Sequence, residues 1–349
     1  MTKFKYEILI MYDGFYNLNR KPFQLNADTD FFFNSAVHKR ALAYMRYGLT
    51  QGEGFVVVTG KPGTGKTMLV KELVNNLGND NITIGIMVSS QVGADDLLKI
   101  ISATFGLSYE GEDKSTLLTR IERFFIQQST EGKRVLMIVD EAQNLPKDSL
   151  EELRMLSNFE LSGKSLFQTF LIGQQQLGET LFLPEMEQLR QRIVATYQLK
   201  PLNEEETKSY ILFRLEKAGW QQTPQFDDEV FNIICSYSQG IPRRINTLCD
   251  RVLLFGYLDE LKVINLNAIH KVINDIEEEA SMVTDEFHDV MPATNTIPTI
   301  DPNCSFEERI IALENIVRNL QHTLNKERAL LRKAILLQLD MDDVYNENP

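Results

Sequence analysis

The sequence is poor in cysteine and has no long apolar run. Its three cysteines are odd in number and widely spaced along 349 residues, which excludes a disulfide framework and does not fit the paired spacing of a zinc site. No window reaches about 18 consecutive apolar residues, so we expect no integral membrane segment. The apolar run at residues 8–11 is too short for the core of a signal peptide. These absences predict a cytoplasmic protein, which partners must hold in place if it works at the inner membrane. Whether translation starts at Met1 or Met11 is left open by the sequence.

Positive charge is also scarce. Lysine and arginine number 36 against 49 aspartate and glutamate residues, which gives a net charge of −13. Such an overall field repels nucleic acid and anionic lipid, so DNA is disfavoured as a partner, although a local basic patch can still bind it. Hydrophobic residues make up 43% and charged residues 24%, which is ordinary for a globular protein. The length predicts roughly two domains.

Short apolar runs alternate with helical patterns over residues 55–199. Continuous apolar strands separated by helices are typical of a mostly parallel sheet covered on both faces, and we predict an α/β domain here. The predicted strands are residues 55–59, 81–89, 134–139, 167–172 and 195–199, and the predicted helices are residues 68–77, 94–105, 117–128 and 149–161.

After Pro201 the strand patterns stop and helical patterns continue. Glycine, proline and asparagine residues separate four amphipathic segments, which predict a small all-α domain. These segments are residues 204–217, 227–238, 242–257 and 266–279.

The C-terminal part of the sequence has a different character. Residues 281–305 carry three prolines among threonine and asparagine, which is typical of a flexible linker. Residues 306–338 repeat apolar side chains at alternating steps of four and three, which favours a coiled coil over a single helix packed on the α-domain. Residues 339–349 indicate a disordered acidic tail.

Residues Gly60–Thr67 match the phosphate-loop pattern G-x-x-x-x-G-K-[ST] between a predicted strand and a predicted helix. In this pattern glycines let backbone N–H groups turn toward a phosphate, and the N-terminus of the next helix adds partial positive charge. Lys66 would reach the β- and γ-phosphates of ATP, and the Thr67 hydroxyl would ligate Mg²⁺. The alternative, a glycine-rich turn with an exposed lysine, does not explain the flanking strand and helix. The predicted nucleotide-binding residues of this motif are Gly60, Pro62, Gly63, Thr64, Gly65, Lys66, Thr67 and Met68.

A pair of carboxylates follows a later strand. The apolar run that begins at Val135 ends in Asp140 and Glu141, so both lie at the carboxyl end of a buried strand. In an open parallel sheet that edge lies beside the phosphate loop. Asp140 would hold Mg²⁺ together with Thr67, and Glu141 would polarise the attacking water. An acidic strand end in solvent is common by itself, but its pairing with the phosphate loop favours ATP binding.

Three further positions are candidates for contacts to ATP. Gln174 follows the predicted strand 167–172 and can orient the water or contact the γ-phosphate; the alternative is plain surface. Arg192, or Arg190 beside it, precedes the last strand, where an arginine can reach the nucleotide of a neighbouring subunit as an arginine finger. Arg243 opens a helix of the α-domain, from which an arginine can fold back onto the γ-phosphate. The alternative for Arg192 and Arg190 is an exposed charge on a helix.

Together these residues resemble the AAA+ superfamily, and within it the general secretion pathway protein A (ExeA-like) ATPases. The resemblance spans residues 11–280, and its specific part is the block ahead of the phosphate loop. The heptad segment, with Arg309, Leu313 and Glu314, is similar to the ATPases associated with exosortase (PEP-CTERM/XrtA) loci. ExeA-type members carry a transmembrane helix and a peptidoglycan-binding domain, and this sequence shows neither, which favours the exosortase-associated branch. The motifs that carry the resemblance are Met11-Tyr-x-x-Phe15-Tyr-x-Leu18, His38-x-x-Ala41-Leu42, Gly52-x-Gly54-Phe55, Asp140-Glu-Ala-Gln143, Leu171-Ile-Gly-Gln174, Leu189-Arg-Gln-Arg192 and Gly240-x-Pro-Arg-x-Ile-Asn246.

The resemblance implies an AAA+ parallel-sheet core with an all-α lid, ATP and Mg²⁺ as cofactors, and ATP hydrolysis. It assigns catalytic roles to Lys66, Glu141, Arg192 (or Arg190) and Arg243. It also implies a homo-oligomer through AAA+ contacts and the coiled coil, with inner-membrane export or polysaccharide assembly proteins as partners. The resulting domain division is an N-terminal segment packing on the ATPase core (1–50), the ATPase domain (51–200), the lid (201–280), a linker (281–305), a coiled coil (306–338) and the acidic tail (339–349).

Three functions remain open at this stage. The leading hypothesis is an ATPase that drives or regulates assembly of a secretion or surface-polysaccharide export system. A second is an ATP-dependent DNA-binding regulator of the transposition type, which the net charge disfavours. A third is a scaffold that binds ATP without hydrolysing it, which the paired Asp140 and Glu141 argue against.

Overall fold

The computed structural model describes residues 11–288, apart from residues 27, 78–80 and 90–91. The predicted coiled coil (306–338) and acidic tail (339–349) lie outside the described residues. The described residues up to Glu278 form one compact unit by their internal contacts. In the part of the chain that is described, no helix combines the length and the apolar character that crossing a membrane requires.

A parallel sheet forms the centre of the unit. The described strands are β1 (Phe55–Gly60), β2 (Ile82–Val88), β3 (Arg134–Asp140), β4 (Glu160–Leu161), β5 (Lys164–Ser165), β6 (Phe167–Gly173), β7 (Ile193–Leu199), β8 (Gln225–Phe226) and β9 (Val263–Ile264). The central sheet has the order β2-β3-β6-β1-β7, and each neighbouring pair is parallel. Every residue of β1 and β6 is buried, because helices cover both faces of these strands. The predicted α/β fold is confirmed.

Helices connect and cover the strands. The described helices are α1 (Met11–Phe15), α2 (Ala36–Gln51), α3 (Lys66–Asn76), α4 (Ala94–Thr104), α5 (Lys114–Thr130), α6 (Lys147–Leu156), α7 (Gln175–Leu181), α8 (Glu187–Arg190), α9 (Glu204–Lys217), α10 (Asp228–Ser238), α11 (Pro242–Leu258) and α12 (Leu266–His288).

Two apolar layers hold these helices on the sheet. Helices α2 and α3 pack on one face through side chains such as Met45 and Leu73. Helices α4, α5 and α6 pack on the other face, where Leu97, Ile121 and Leu153 are fully buried. Burying one side chain of this kind contributes about 1.5–3 kcal/mol. Helices therefore cover the sheet on both faces, and the carboxyl edge of the sheet carries the predicted site.

The all-α part has its own core, and the N-terminal segment belongs to it. We expected residues 1–50 to pack on the ATPase core, and in the described part α2 does so. Tyr12, Tyr16 and Phe23 are instead buried in the apolar cluster formed by the C-terminal helices. The Tyr16 hydroxyl donates to the backbone oxygen of Leu261 at 3.1 Å. The expectation was wrong for this segment because its aromatic side chains fill space between helices that come much later in the sequence.

Two element boundaries also differ from expectation. The predicted helix 149–161 ends at Leu156, and a short hairpin of β4 and β5 follows. Its two turn residues, Ser162 and Gly163, have positive φ values of 54° and 74°, which is the geometry of a tight two-residue hairpin turn. The last helix continues to His288, eight residues into the range predicted as a linker, because residues 277–288 contain neither proline nor glycine.

Candidate functional site

The phosphate-loop residues connect β1 to α3 at the carboxyl edge of the sheet. Gly63 and Gly65 have φ values of 79° and 95°, a conformation that glycine adopts without the steric cost other residues bear. Gly65 is also the N-cap of α3, so the unpaired N–H groups of this helix start at the loop. The loop lines a cavity of about 310 Å³. Backbone donors around a cavity at a helix N-terminus are suited to bind phosphate.

The predicted nucleotide-binding residues of the loop divide into two groups. Gly60 and Thr64 are buried in the loop itself, while Pro62 is exposed on its outside. The Thr64 hydroxyl donates to the backbone oxygen of Lys61 at 2.8 Å, which closes the loop. The residues of the motif that line the cavity are Gly63, Gly65, Lys66, Thr67 and Met68.

Lys66 is buried inside the loop. Its Nζ donates to the backbone oxygens of Gly60 at 3.0 Å and Lys61 at 3.1 Å. Burial lowers the pKa of Lys66, and the negative charges of Glu141 and Asp140 oppose that shift. A buried ammonium group that rests on neutral carbonyls gains a charge-assisted contact when phosphate oxygens replace them.

Thr67 and Asp140 meet at the carboxyl edge of the sheet. The Thr67 hydroxyl donates to Asp140 Oδ2 at 2.7 Å, and the Glu141 N–H donates to Asp140 Oδ1 at 2.9 Å. One hydroxyl and one carboxylate are the hard oxygen ligands that Mg²⁺ uses when phosphates complete its shell. Among the residues described, no group of three or more His, Cys, Asp or Glu side chains is arranged to hold a metal ion. The residues therefore fit Mg²⁺ bound together with a nucleotide.

Glu141 has a strained backbone, and two glutamines hold its side chain. Its φ and ψ are 54° and 36°, a left-handed conformation that is unfavourable for a non-glycine residue and is typical of functional sites. Its Oε2 accepts from Gln143 Nε2 at 2.6 Å and from Gln174 Nε2 at 3.4 Å. Gln143 Oε1 in turn accepts from the Gln174 N–H at 2.9 Å. Gln174 thus lies beside Glu141, and its contact to water or phosphate stays a prediction.

Gln143 is a functional candidate that sequence reasoning did not single out. It ends the Asp140–Gln143 motif, and the motif gives it no role of its own. In the structure its amide group binds both Glu141 and the backbone of Gln174. The signal available in the sequence was only its spacing of two residues from Glu141.

The cavity wall opposite the phosphate loop comes from the N-terminal segment and the lid. The buried Arg214 of α9 donates through Nη1 to the Tyr210 hydroxyl at 2.9 Å and through Nη2 to the Gln24 oxygen at 3.3 Å. Its guanidinium group also lies 4.7 Å from the centre of the Phe31 ring. Asn246 of α11 donates to the same Gln24 oxygen at 3.2 Å. Sequence reasoning missed this wall, because its parts are about 200 residues apart in the sequence.

The predicted arginines lie in different places. Arg243 lines the cavity, and its backbone N–H donates to the Gly63 oxygen at 3.2 Å. Arg192 lies at the amino end of β7, where its backbone oxygen accepts from the Phe55 N–H at 2.9 Å. The amino ends of the strands lie at the opposite end of the sheet from the phosphate loop, so Arg192 does not reach the cavity of its own chain. Arg190, close to it, donates to the Phe182 oxygen at 3.3 Å. All three roles stay predictions.

Comparison with known proteins agrees with this geometry. A family model described as "AAA domain" matches residues 49–181. The chain is 38% identical to general secretion pathway protein A of Aeromonas hydrophila over 248 residues, which are 71% of this chain and 45% of that protein. It is 34% identical over 99 residues to the Mu-like prophage FluMu DNA transposition protein B of Haemophilus influenzae, which are 28% of this chain and 32% of that protein. The chain therefore spans less than half the length of either relative.

Solved structures share the fold at low sequence identity. The Aeropyrum pernix ORC2 protein, in its ADPNP-ADP complexes, has a TM-score of 0.55 and 15% identity over 73% of this chain and 71% of that chain. Cdc6p from Pyrobaculum aerophilum has a TM-score of 0.55 and 14% identity over 71% of each chain. The chain is thus similar to general secretion pathway protein A, matches an AAA domain model over residues 49–181, and has the α/β fold of the AAA+ P-loop NTPases.

Proposed function

We propose that this protein is a Mg²⁺-dependent ATPase. The observation that carries the proposal is the meeting of Lys66, Thr67, Asp140 and Glu141 at one edge of the sheet, around a cavity lined by a helix N-terminus. Each part of ATP hydrolysis has a group suited to it there. Backbone N–H groups and Lys66 bind the phosphates, while Thr67 and Asp140 would hold Mg²⁺, which neutralises phosphate charge when bound.

Glu141 is the residue that we assign to the water. In hydrolysis a water oxygen forms a bond to the γ-phosphorus, the bond to the β-γ bridging oxygen breaks, and the water proton leaves toward a base. The contacts from Gln143 and Gln174 fix the direction of the Glu141 carboxylate. Both contacts reach Oε2, and no hydrogen bond joins Oε1 to another of the described residues, so Oε1 can accept from a water molecule.

We further propose that the hydrolysis drives or regulates assembly of a secretion or surface-polysaccharide export system of the exosortase-associated type, with inner-membrane proteins as partners. The similarity to general secretion pathway protein A over 71% of the chain supports this. The test is to replace the chromosomal gene by its Glu141→Gln variant. We expect export of the surface product to stop while the protein level stays normal. Unchanged export in that strain would contradict the proposal.

The Arg192 role predicts that turnover depends on protein concentration. Because Arg192 lies far from the cavity of its own chain, it can act only on the nucleotide of a second copy. Turnover per subunit of the wild type should therefore rise with concentration, and Arg192→Ala should hold it at the rate of the dilute protein. Phosphate release measured across a dilution series gives the result.

The matched control for this experiment is Arg190→Ala, two residues away in the sequence. It should keep the rise with concentration. A flat series for the wild type would contradict the finger role, and loss of the rise in Arg190→Ala alone would transfer the role to that residue.

An ATP-dependent DNA-binding regulator is the second candidate. The 34% identity to a DNA transposition protein over 99 residues is the observation in its favour. The net charge of −13 is against it. Gel shifts with ATP across a range of salt concentrations separate the two candidates. We expect no ATP-dependent shift. Tight binding that weakens steeply with salt would instead favour the DNA-binding function, since phosphate contacts release counterions.

A further inference from the structure

His38 of α2 contacts the phosphate loop from outside the motif. Its side chain is 5% exposed, and Nε2 lies 3.2 Å from the backbone oxygen of Thr64. The ring packs edge-on against Phe32, with ring centres 5.6 Å apart. The approach is close, because a Cβ atom added at Gly65 would lie 3.0 Å from His38 Nε2. His38 also lines the cavity, but the roles assigned above to the phosphate loop, Asp140 and Glu141 do not include its side chain.

The contacts of the ring determine which nitrogen carries the proton. Burial lowers the pKa of His38, so the neutral ring, with one donor and one acceptor nitrogen, prevails near pH 7. A carbonyl oxygen only accepts, so Nε2 must donate to Thr64. Nδ1 is then the acceptor for the Ser35 hydroxyl, 2.8 Å away. The Ser35 oxygen in turn accepts from the His38 N–H at 3.2 Å as the N-cap of α2.

This hydrogen bond orients a peptide unit of the phosphate loop. In a trans peptide the carbonyl and the N–H of the next residue point in opposite directions. Holding the Thr64 carbonyl toward His38 therefore aims the Gly65 N–H away from His38. Gly65 lines the cavity, and its N–H is one of the donors that a phosphate group needs. His38 thus sets the direction of a donor in the loop without being part of the loop.

The lid reaches the same end of α2. Glu206 of α9 accepts from the Ala36 N–H through Oε1 at 3.0 Å. The other carboxylate oxygen accepts from the Asn203 N–H at 3.3 Å, while the Asn203 side chain accepts from the Glu206 N–H at 2.8 Å. This reciprocal capping fixes Glu206 to the start of α9. A shift of α9 would therefore move the Glu206 carboxylate, which is a hydrogen-bond acceptor for the turn that carries Ser35 and His38.

We propose that His38 is a positioning residue for the phosphate loop, and that the lid acts on the loop through Glu206 and the first turn of α2. The proposal rests on the nucleotide binding proposed above. It adds a connection between lid and loop that does not involve Arg243. The expected consequence is that the loop binds nucleotide less well when either His38 or Glu206 loses its contact.

The test compares two substitutions of His38 that introduce an amide group on side chains of different length. In His38→Gln the amide nitrogen takes the place of Nε2 and still reaches the Thr64 oxygen, whereas in His38→Asn the shorter side chain reaches only toward Ser35. We expect His38→Asn to weaken MgATP binding about tenfold, as for a lost hydrogen bond to a buried carbonyl. His38→Gln should restore most of the affinity. Turnover at saturating ATP should change little in either variant, so that KM rises and kcat does not fall.

Calorimetric titration with MgATP measures the affinities, and Lys39→Asn, an exposed neighbour on α2, is the matched control. Thermal unfolding without nucleotide checks that the variants are folded, and His38→Ala replaces His38→Asn if the latter is not. Equal affinities of His38→Gln and His38→Asn would overturn the positioning role. Absence of MgATP binding by the wild type would instead contradict the proposed function as a whole.

A double-mutant cycle tests the part played by the lid. Because Glu206 and His38 act on the same loop peptide, the affinity loss in Glu206→Ala combined with His38→Asn should be smaller than the product of the two single losses. Independent, multiplicative losses would overturn the connection through Glu206.

Discussion

Replacing Glu141 by glutamine is expected to stop ATP hydrolysis and leave ATP bound. Glutamine has almost the shape of glutamate but does not accept a proton from water at neutral pH. Removal of a general base typically lowers a rate by roughly 100- to 10,000-fold, and we expect a loss on the order of 1,000-fold here. Steady-state phosphate release gives the rate, and calorimetric titration with MgATP gives the affinity.

The structure specifies the control for this result. Gln143 and Gln174 contact one oxygen of Glu141, and a glutamine oxygen placed there keeps both contacts, so the site should stay assembled. Glu160→Gln, on the exposed hairpin, makes the same chemical change away from the site and should leave turnover unaltered. Undiminished turnover in Glu141→Gln would contradict the role that we assign to Glu141.

Replacing Lys66 by alanine is expected to weaken nucleotide binding severely. The change removes the ammonium group that is buried in the loop and that the phosphates would approach. A hydrogen bond to a charged group contributes about 1.5–3 kcal/mol, so the loss of affinity should be on the order of 100-fold. Titration with MgATP and MgADP measures it, and both nucleotides should be affected.

Lys61→Ala is the matched control for Lys66→Ala. Lys61 belongs to the same loop but its side chain is exposed, and only its backbone oxygen takes part in closing the loop. Its replacement should change the affinity for nucleotide by no more than about twofold, because an exposed charge contributes little to an interaction across solvent. If the two variants lost affinity equally, the overall positive charge of the loop, and not a specific contact of Lys66 with phosphate, would explain nucleotide binding.

The local parts of the site could be predicted from the sequence. The phosphate loop is one continuous segment between a strand and a helix, and Asp140 and Glu141 end a strand whose apolar run is plain. Parallel strands bring their carboxyl ends to one edge, so two motifs far apart in sequence meet without further information. That logic predicted the sheet and the position of Glu141 correctly.

The parts that depend on long-range packing could not be predicted. Nothing local to Tyr12 or Phe23 distinguishes a partner in the sheet helices from one in the lid, because an apolar side chain packs on either. The contacts of His38 and Arg214 likewise depend on backbone oxygens of distant loops, which leave no mark in the sequence. The short hairpin after α6 was missed for a different reason: a positive φ at Ser162 is unusual for serine, and the residues before it continue a helical pattern.

The packing of the N-terminal segment among the C-terminal helices has a consequence for synthesis of the chain. The Tyr16 hydroxyl can make its hydrogen bond only after Leu261, which is 245 residues later in the sequence, has left the ribosome. At about 5–20 residues per second that delay is roughly 10 to 50 seconds. The sheet can form in the meantime, but one wall of the cavity includes Gln24, whose backbone oxygen is bound by Arg214 and Asn246, 190 and 222 residues later. During translation the nascent protein therefore has its phosphate loop before it has a complete cavity, and its aromatic N-terminal segment is exposed until the lid helices have been made.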